Sequence, residues 1–393
     1  MPAQGRRHVP HRHQRSFDVV VIGGGVIGLS VAWRAQQRGL ATLVLERDAL
    51  ASGATHAAAG MLAPVSEARL AERELLALSR ASAARYPAFV EELVALTGQD
   101  PGYRACGTLA VARDRDEAEA LEREQAEREA LGLPVERLRA SEARRREPAL
   151  APTLRLALSM PDDHAIDPRA LAAALAVAVQ RSGGVVRERT PVARVAVDAG
   201  ELVEGVELLD GERIAASQVV LAAGAWVGVL DGLPEHARVP VRPVKGQILR
   251  LRDPAGPGLL THVLRMQPGY IVPRGDGRYV LGATMEEQGF DTAPTAGGVF
   301  ELLRDAVELV PGVSELTIDE LTAGLRPGTP DNAPVLGAGA LDGLQWAAGH
   351  FRHGVLLAPI TAELLAASLA GEELPPLAAP FAPGRFAHEA VVS

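Results

Sequence analysis

Phe17-Asp18-Val19-Val20-Val21-Ile22 runs straight into Gly23-Gly24-Gly25-Val26-Ile27-Gly28, and an acid, Glu46, closes the next apolar run. The first segment is β-branched and apolar, as a buried parallel strand requires. Gly23, Gly25 and Gly28 fall at the spacing of the nucleotide-binding fingerprint. The first permits a tight turn, the second a close approach of backbone to pyrophosphate, and the third the packing of helix on strand. The spacing predicts a helix from Val26 to Gln37 whose N-terminal amides face the phosphates, with Gly39 as its C-cap. Ala41 to Leu45 reads as a second strand, with Glu46 at its tip placed to accept from ribose hydroxyls. A lone GxGxxG is weak. With a strand before it, a helix after it and an acid beyond, it predicts a dinucleotide site; the alternative is a turn that serves packing alone.

The chain has 393 residues, enough for roughly two to three domain-sized cores. A net charge of −9 argues against nucleic acid or an acidic membrane as main partner. One cysteine, Cys106, excludes an internal disulfide framework and fits a reducing, cytoplasmic compartment. The longest apolar run, Ala170 to Val179, has ten residues, about half of a bilayer span, so no integral membrane association is expected. Residues 1–16 carry Arg6, Arg7, Arg12 and Arg15 and no acid. Arg6-Arg7 resembles a twin-arginine signal, but the next apolar run is the nucleotide strand itself, so a solvated basic tail is expected. Lys245 is the only lysine in the chain.

Further along, small residues from Ser52 to Met61 allow backbone to pass close to a flat ligand. Glu67 to Leu96 has helical periodicity interrupted at Pro87, and Asp114 to Leu131 reads as a charged, solvated helix. Asp167-Pro168 followed by an alanine-rich run to Gly183-Gly184 gives a capped helix. Strands are expected at Val185–Arg189, Val192–Val197, Leu202–Leu209, Gln218–Ala222, Val241–Leu251, Gly269–Pro273, Arg278–Ala283, Thr317–Leu325 and Leu344–Ala348. Helices are expected at Val299–Leu309 and Val355–Leu369, the second with Pro359 in its first turns. No internal repeat is visible.

The nucleotide fingerprint lies at the start and its partners at the end, which implies a second domain inserted into the first. Seven further motifs occur in order. They are Thr55-His56-Ala57-Ala58-Ala59-Gly60-Met61-Leu62, Val220-Leu221-Ala222-Ala223-Gly224-Ala225-Trp226, Pro243-Val244-Lys245-Gly246-Gln247, Tyr270-Ile271-Val272-Pro273-Arg274, Gly282-Ala283-Thr284-Met285, Gly324-Leu325-Arg326-Pro327-Gly328-Thr329 and Ala348-Gly349-His350-Phe351-Arg352. From about Phe17 to Gly371 the chain resembles the glycine oxidases of the D-amino-acid oxidase superfamily. The resemblance implies an α/β (α+β overall) fold: a discontinuous Rossmann-like FAD-binding domain with an inserted antiparallel-sheet substrate domain. The expected boundaries are 17–90, 150–227 and 320–384 for the FAD domain, 91–149 and 228–319 for the substrate domain, with tails at 1–16 and 385–393.

The resemblance further implies non-covalent FAD, and this chain has no cysteine after Cys106, the region where monomeric sarcosine oxidases attach flavin. It implies oxidation of a small amino-acid substrate by dioxygen, a place in the thiazole branch of thiamine biosynthesis with hand-off to thiazole synthase, and a homo-oligomer. It assigns substrate binding to Arg326, Tyr270, Arg352 and Met285. Cofactor contacts are implied at Gly23, Gly25, Val26, Ile27, Gly28, Glu46 and Arg47. More are implied at Thr55, Ala59, Gly60, Met61, Val192 and Gly224, and along the loop and helix start at His350, Phe351, Arg352, His353, Gly354, Val355 and Leu356. One departure is visible: the family has asparagine where this chain has His353.

A guanidinium is the group best suited to grip both oxygens of a small substrate's carboxylate. Arg326, expected at a strand end before a Pro327-Gly328 turn, fits that role; its alternative is a structural ion pair. Tyr270 offers a hydroxyl or is an ordinary core tyrosine, and Arg352 contacts substrate, flavin or its own loop. The last helix's N-terminus can stabilise negative charge on reduced flavin. No side chain is assigned as a base, and no metal site is expected: Asp162-Asp163-His164 reads as a polar loop. Cys106 reads as an inert thiol. Lys245 either approaches the isoalloxazine or caps a strand. A sarcosine or broader D-amino-acid oxidase, a catalytically silent flavin-binding subunit and a nicotinamide dehydrogenase are the competing readings.

Overall fold

The computed structural model describes residues 17–387; the expected basic tail at 1–16 and residues 388–393 lie outside them. Phe17–Ile22 is the expected strand, buried from Val19 onward. It pairs in parallel with Thr42–Leu45 on one side and Arg213–Leu221 on the other. The main path is Val335–Ala338, Leu344–Ala348, Arg213–Leu221, Phe17–Ile22, Thr42–Leu45, Val185–Arg187, with the first strand antiparallel at the edge, and Val203–Leu208 and Val192–Val197 branch antiparallel from Arg213–Leu221. The helices Val26–Gln37, Pro168–Arg181 and Gly354–Leu369 cover one face around Leu29, Trp33, Leu175 and Leu357. Such side chains each contribute roughly 1.5–3 kcal/mol when fully buried.

The last helix, Gly354–Leu369, is buried on nearly every side, which is why its sequence is apolar throughout rather than amphipathic. Pro359 sits one turn deeper than is harmless, since its missing N–H leaves the Val355 carbonyl without its helical donor. The buried Tyr86 hydroxyl donates to that carbonyl instead, and Ser82 Oγ donates to the Leu356 carbonyl at 2.6 Å. The expected helix from Glu67 to Leu96 is two helices, Arg73–Ala83 and Tyr86–Thr97. Pro87 starts the second rather than breaking one, and Glu67 precedes both.

A second sheet runs Thr317–Gly328, Arg242–Arg252, Arg278–Gly282, Tyr270–Pro273, Val263–Arg265, Thr108–Ala112, Leu156–Met160, Glu136–Arg139. All its pairs are antiparallel except Val263–Arg265 with Thr108–Ala112. Its pairing differs from the expected boundaries: Leu156–Met160 and the whole of Thr317–Gly328 belong to this sheet and not to the nucleotide side. Arg326 is therefore inside a strand, opposite Val244, rather than at a strand end. Pro243 and Pro327 face each other, which two prolines can do only where neither N–H is needed between the strands. The expected tail from 385 begins inside a 3-10 turn, Pro383–Phe386, whose Phe386 is buried. No helix among the described residues is long and apolar enough to cross a membrane.

Candidate active site

A cavity of ≈ 1320 Å³ lies between the two sheets. Its wall includes Arg326, Tyr270, Arg352 and Met285 and every expected cofactor residue except Gly28. Gly28 lies behind the wall: a Cβ there would overlap the Gly23 carbonyl and press on Val21, so its work is the helix–strand approach.

The nucleotide end is made of backbone. Gly23 has φ +115°, and a Cβ on it would overlap the Ala222 carbonyl. Glu46 Oε2 accepts from Gly24 N at 2.7 Å and Oε1 from Asp48 N at 3.0 Å, which fixes the carboxylate at the tip of its strand. Arg47 lies over the Trp226 ring, 4.4 Å from its centre. Two helices open onto the cavity, one at Val26 and one at Gly354, and neither has an acid in its first turn. Thr55 Oγ1 accepts from Val26 N at 3.1 Å. Two acid-free positive helix ends, a glycine cradle and a ribose-type acid are the donor set that a dinucleotide with a redox-active ring requires. The residues fit FAD.

Next to the Gly354 helix start, His350 Nε2 meets Thr361 Oγ1 at 3.0 Å. Burial pushes His350 down to about 3. His353 falls to about 4 through burial, with Arg352 and Arg69 adding against the pull of Glu67. Both rings are neutral at pH 7. His353 is thus an uncharged group at the helix start.

The opposite end of the cavity is made of side chains. The Arg326 guanidinium lies across Gly246, where a Cβ would overlap it. Its Nη1 donates to the carbonyls of Thr284 at 3.1 Å and Lys245 at 3.3 Å. No carboxylate pairs with it among the described residues, so the expected alternative of a structural ion pair is not what the structure shows. The Tyr270 hydroxyl borders the guanidinium; burial pushes it up, and the charge of Arg326 draws it back. Met285 lines the cavity and is exposed.

Arg352 faces an acid absent from the sequence-based site, Glu67, with Nε 3.4 Å from Oε2. Burial pushes Glu67 up, but Arg352 and Arg265 outweigh it and hold the carboxyl below its ordinary range. Arg265, also in the cavity wall, is itself anchored on Glu124 at 2.6 Å. No sequence signal joins Glu67, Arg265 and Arg352, because they come from three distant segments.

Three further residues singled out in the sequence take these places. Lys245 does not reach the cavity wall. Asp163 accepts from Val65 N and Ser66 N, both at 2.8 Å, and no metal-holding cluster exists among the described residues. Burial pushes the Cys106 thiol up, away from a reactive thiolate.

Comparison with known proteins agrees with this geometry. The FAD dependent oxidoreductase (DAO) family profile matches residues 18–368. The bifunctional protein ThiO/ThiG of Synechocystis is 39% identical over 95% of this chain and 54% of its own length. The chain therefore spans about half the length of that relative. The glycine oxidase of Geobacillus kaustophilus is 37% identical over 89% of this chain and 92% of its own. A crystal structure of glycine oxidase from that organism superposes with a TM-score of 0.87 at 36% identity, covering 94% of this chain and 99% of the other. The chain belongs to the DAO family of FAD dependent oxidoreductases.

Proposed function

We propose that the chain oxidises glycine to an imine that water hydrolyses to glyoxylate and ammonia, and that it also accepts sarcosine and small D-amino acids. The observation that carries this reading is Arg326: a guanidinium in the cavity wall, held by two carbonyls and lacking a carboxylate partner among the described residues. FAD, when bound, supplies a two-electron acceptor that dioxygen regenerates with release of hydrogen peroxide.

The chain's own groups hold and orient. Arg326 receives the substrate carboxylate as a paired, charge-assisted contact, and the Tyr270 hydroxyl donates to the same group. That fixes the Cα–H and leaves the amine free to lose its proton to water before the C–H bond breaks. No side chain is assigned to take it. The neutral imidazoles of His350 and His353 leave the stabilisation of negative charge at the last helix to its backbone amides. The place in thiamine biosynthesis, with hand-off of the imine to thiazole synthase, rests on the fused ThiO/ThiG relatives. Purified protein supplied with glycine in air should form peroxide, ammonia and glyoxylate in equal amounts. Formation of none of them from glycine, sarcosine or D-alanine would favour the silent-subunit reading.

A further inference from the structure

Lys245, the single lysine of the chain, is buried with 1% of its surface exposed. On its strand Gly246 and Ile248 line the cavity, so by alternation Lys245 and Gln247 project from the opposite face. There the ammonium lies 2.5 Å from Asp291 Oδ2 and 3.9 Å from Glu286 Oε2. The Gln247 amide nitrogen donates to Glu286 Oε1 at 2.8 Å, and the Thr284 hydroxyl donates to the same oxygen at 2.5 Å. The backbones join as well: Lys245 N donates to Glu286 O at 2.9 Å and Glu286 N to Lys245 O at 3.0 Å. The strand Arg278–Gly282 has already ended, so this bridge is what continues the sheet past Ile248.

The two carbonyls that seat the Arg326 guanidinium belong to Lys245 and Thr284, both members of this network. We propose that Lys245, through Asp291 and Glu286, is a positioning residue that clamps residues 284–291 to the strand and so fixes the orientation of Arg326. The proposal rests on the reading of Arg326 as the carboxylate-binding group. Removing the ammonium leaves two carboxylates beside each other without their cation, which loosens the segment and the carbonyl of Thr284 with it. The effect on chemistry is then indirect: substrate is held less well, and bound substrate reacts much as before.

The test is a double-mutant cycle on the FAD-loaded enzyme, using glycine kinetics and the spectral affinity for acetate, a carboxylate with no amine to oxidise. Lys245→Met should raise KM for glycine and Kd for acetate about tenfold, with kcat within about threefold and FAD content unchanged. Chymotrypsin should cut after Phe290 faster than in the parent. Asp291→Asn, at the exposed end of the pair, should move the same quantities about threefold and serves if Lys245→Met does not fold. In an Arg326→Ala background neither change should weaken acetate binding further. Equal weakening in both backgrounds, or unchanged affinity in the parent background, would overturn the clamp. Should Arg326→Ala alone leave acetate affinity intact, the carboxylate reading fails first, and that single variant identifies which of the two claims has failed.

Discussion

The two ends of the cavity are built by different means. At the nucleotide end, a strand, a turn and a helix that follow one another in sequence supply glycine backbone and one helix N-terminus, the next strand ends at the acid Glu46, and the helix at Gly354 adds a second N-terminus. At the other end, Arg326, Tyr270, Gly246 and Thr284 come from segments that meet only through strand register. The first end recognises a group common to many enzymes through main chain that any suitable sequence provides. On the proposed reading, the second selects a small ligand through side chains supported by others behind them, as Arg326 is by the carbonyls of Lys245 and Thr284. Binding of cofactor and of substrate should therefore respond separately to mutation.

Arg326→Ala gives the largest separation. It leaves a substrate carboxylate unpaired in a nearly dry pocket and should cost about 2–5 kcal/mol in kcat/KM for glycine, with FAD content near normal. Arg326→Lys should recover only part of this, because a point charge does not reproduce the planar fork. Steady-state kinetics of both variants with glycine and with a simple alkylamine check it, since the alkylamine never used the contact. Glycine kinetics equal to the parent's would shift the role to Arg352.

Glu46→Ala is the converse and somewhat smaller. Lost charge-assisted ribose hydrogen bonds, each about 1.5–3 kcal/mol, should weaken FAD retention. Apoprotein titrated with FAD measures it; fully reloaded enzyme should keep the parent KM for glycine. A raised KM at full FAD loading would mean that the two ends are coupled.

The last effect lies at the junction of the ends and is on stability rather than binding, vanishing at neutral pH. His353 titrates at about 4 in the fold against an ordinary value near 6.5, so below pH 6.5 the unfolded chain binds the proton first. Its contribution is intact above pH 6.5 and is lost as pH falls toward 4, at about 1.4 kcal/mol per pH unit. His350 acts in the same direction. Asp163, which burial pushes up to about 6, acts in the opposite one, its stabilisation being lost as pH rises through that value. Denaturation curves of parent and His353→Asn between pH 6.5 and 4 should therefore diverge, the variant losing stability less steeply. Parallel curves would place His353 in a more solvated setting than the structure gives it.

The same division explains what the sequence made legible. Gly23, Gly25, Glu46 and the helix at Val26 could be read because their relations are local and their spacing is fixed by one turn. Arg326 was singled out by family resemblance, yet its surroundings could not be read. Its strand extends to Gly328 because of Arg242–Val244 across the sheet, and nothing near Arg326 in sequence states that. Glu67 looked like a helix start and became a counter-charge to Arg352. Thr108–Ala112 is buried on both faces and shows no alternation, while Glu136–Arg139 is a polar edge strand, so neither carries a strand signature. Lys245 was conspicuous as the single lysine, but only register decides which face of the sheet it takes.

The central claim is that a small amino acid, held by Arg326, gives two electrons to FAD in this cavity. Anaerobic titration of the purified, FAD-loaded protein with glycine tests it most directly. The oxidised flavin absorbance should bleach with glycine in the parent, and Arg326→Ala should require far higher concentrations for the same loss. A flavin spectrum that stays oxidised with glycine, sarcosine and D-alanine alike would contradict the account.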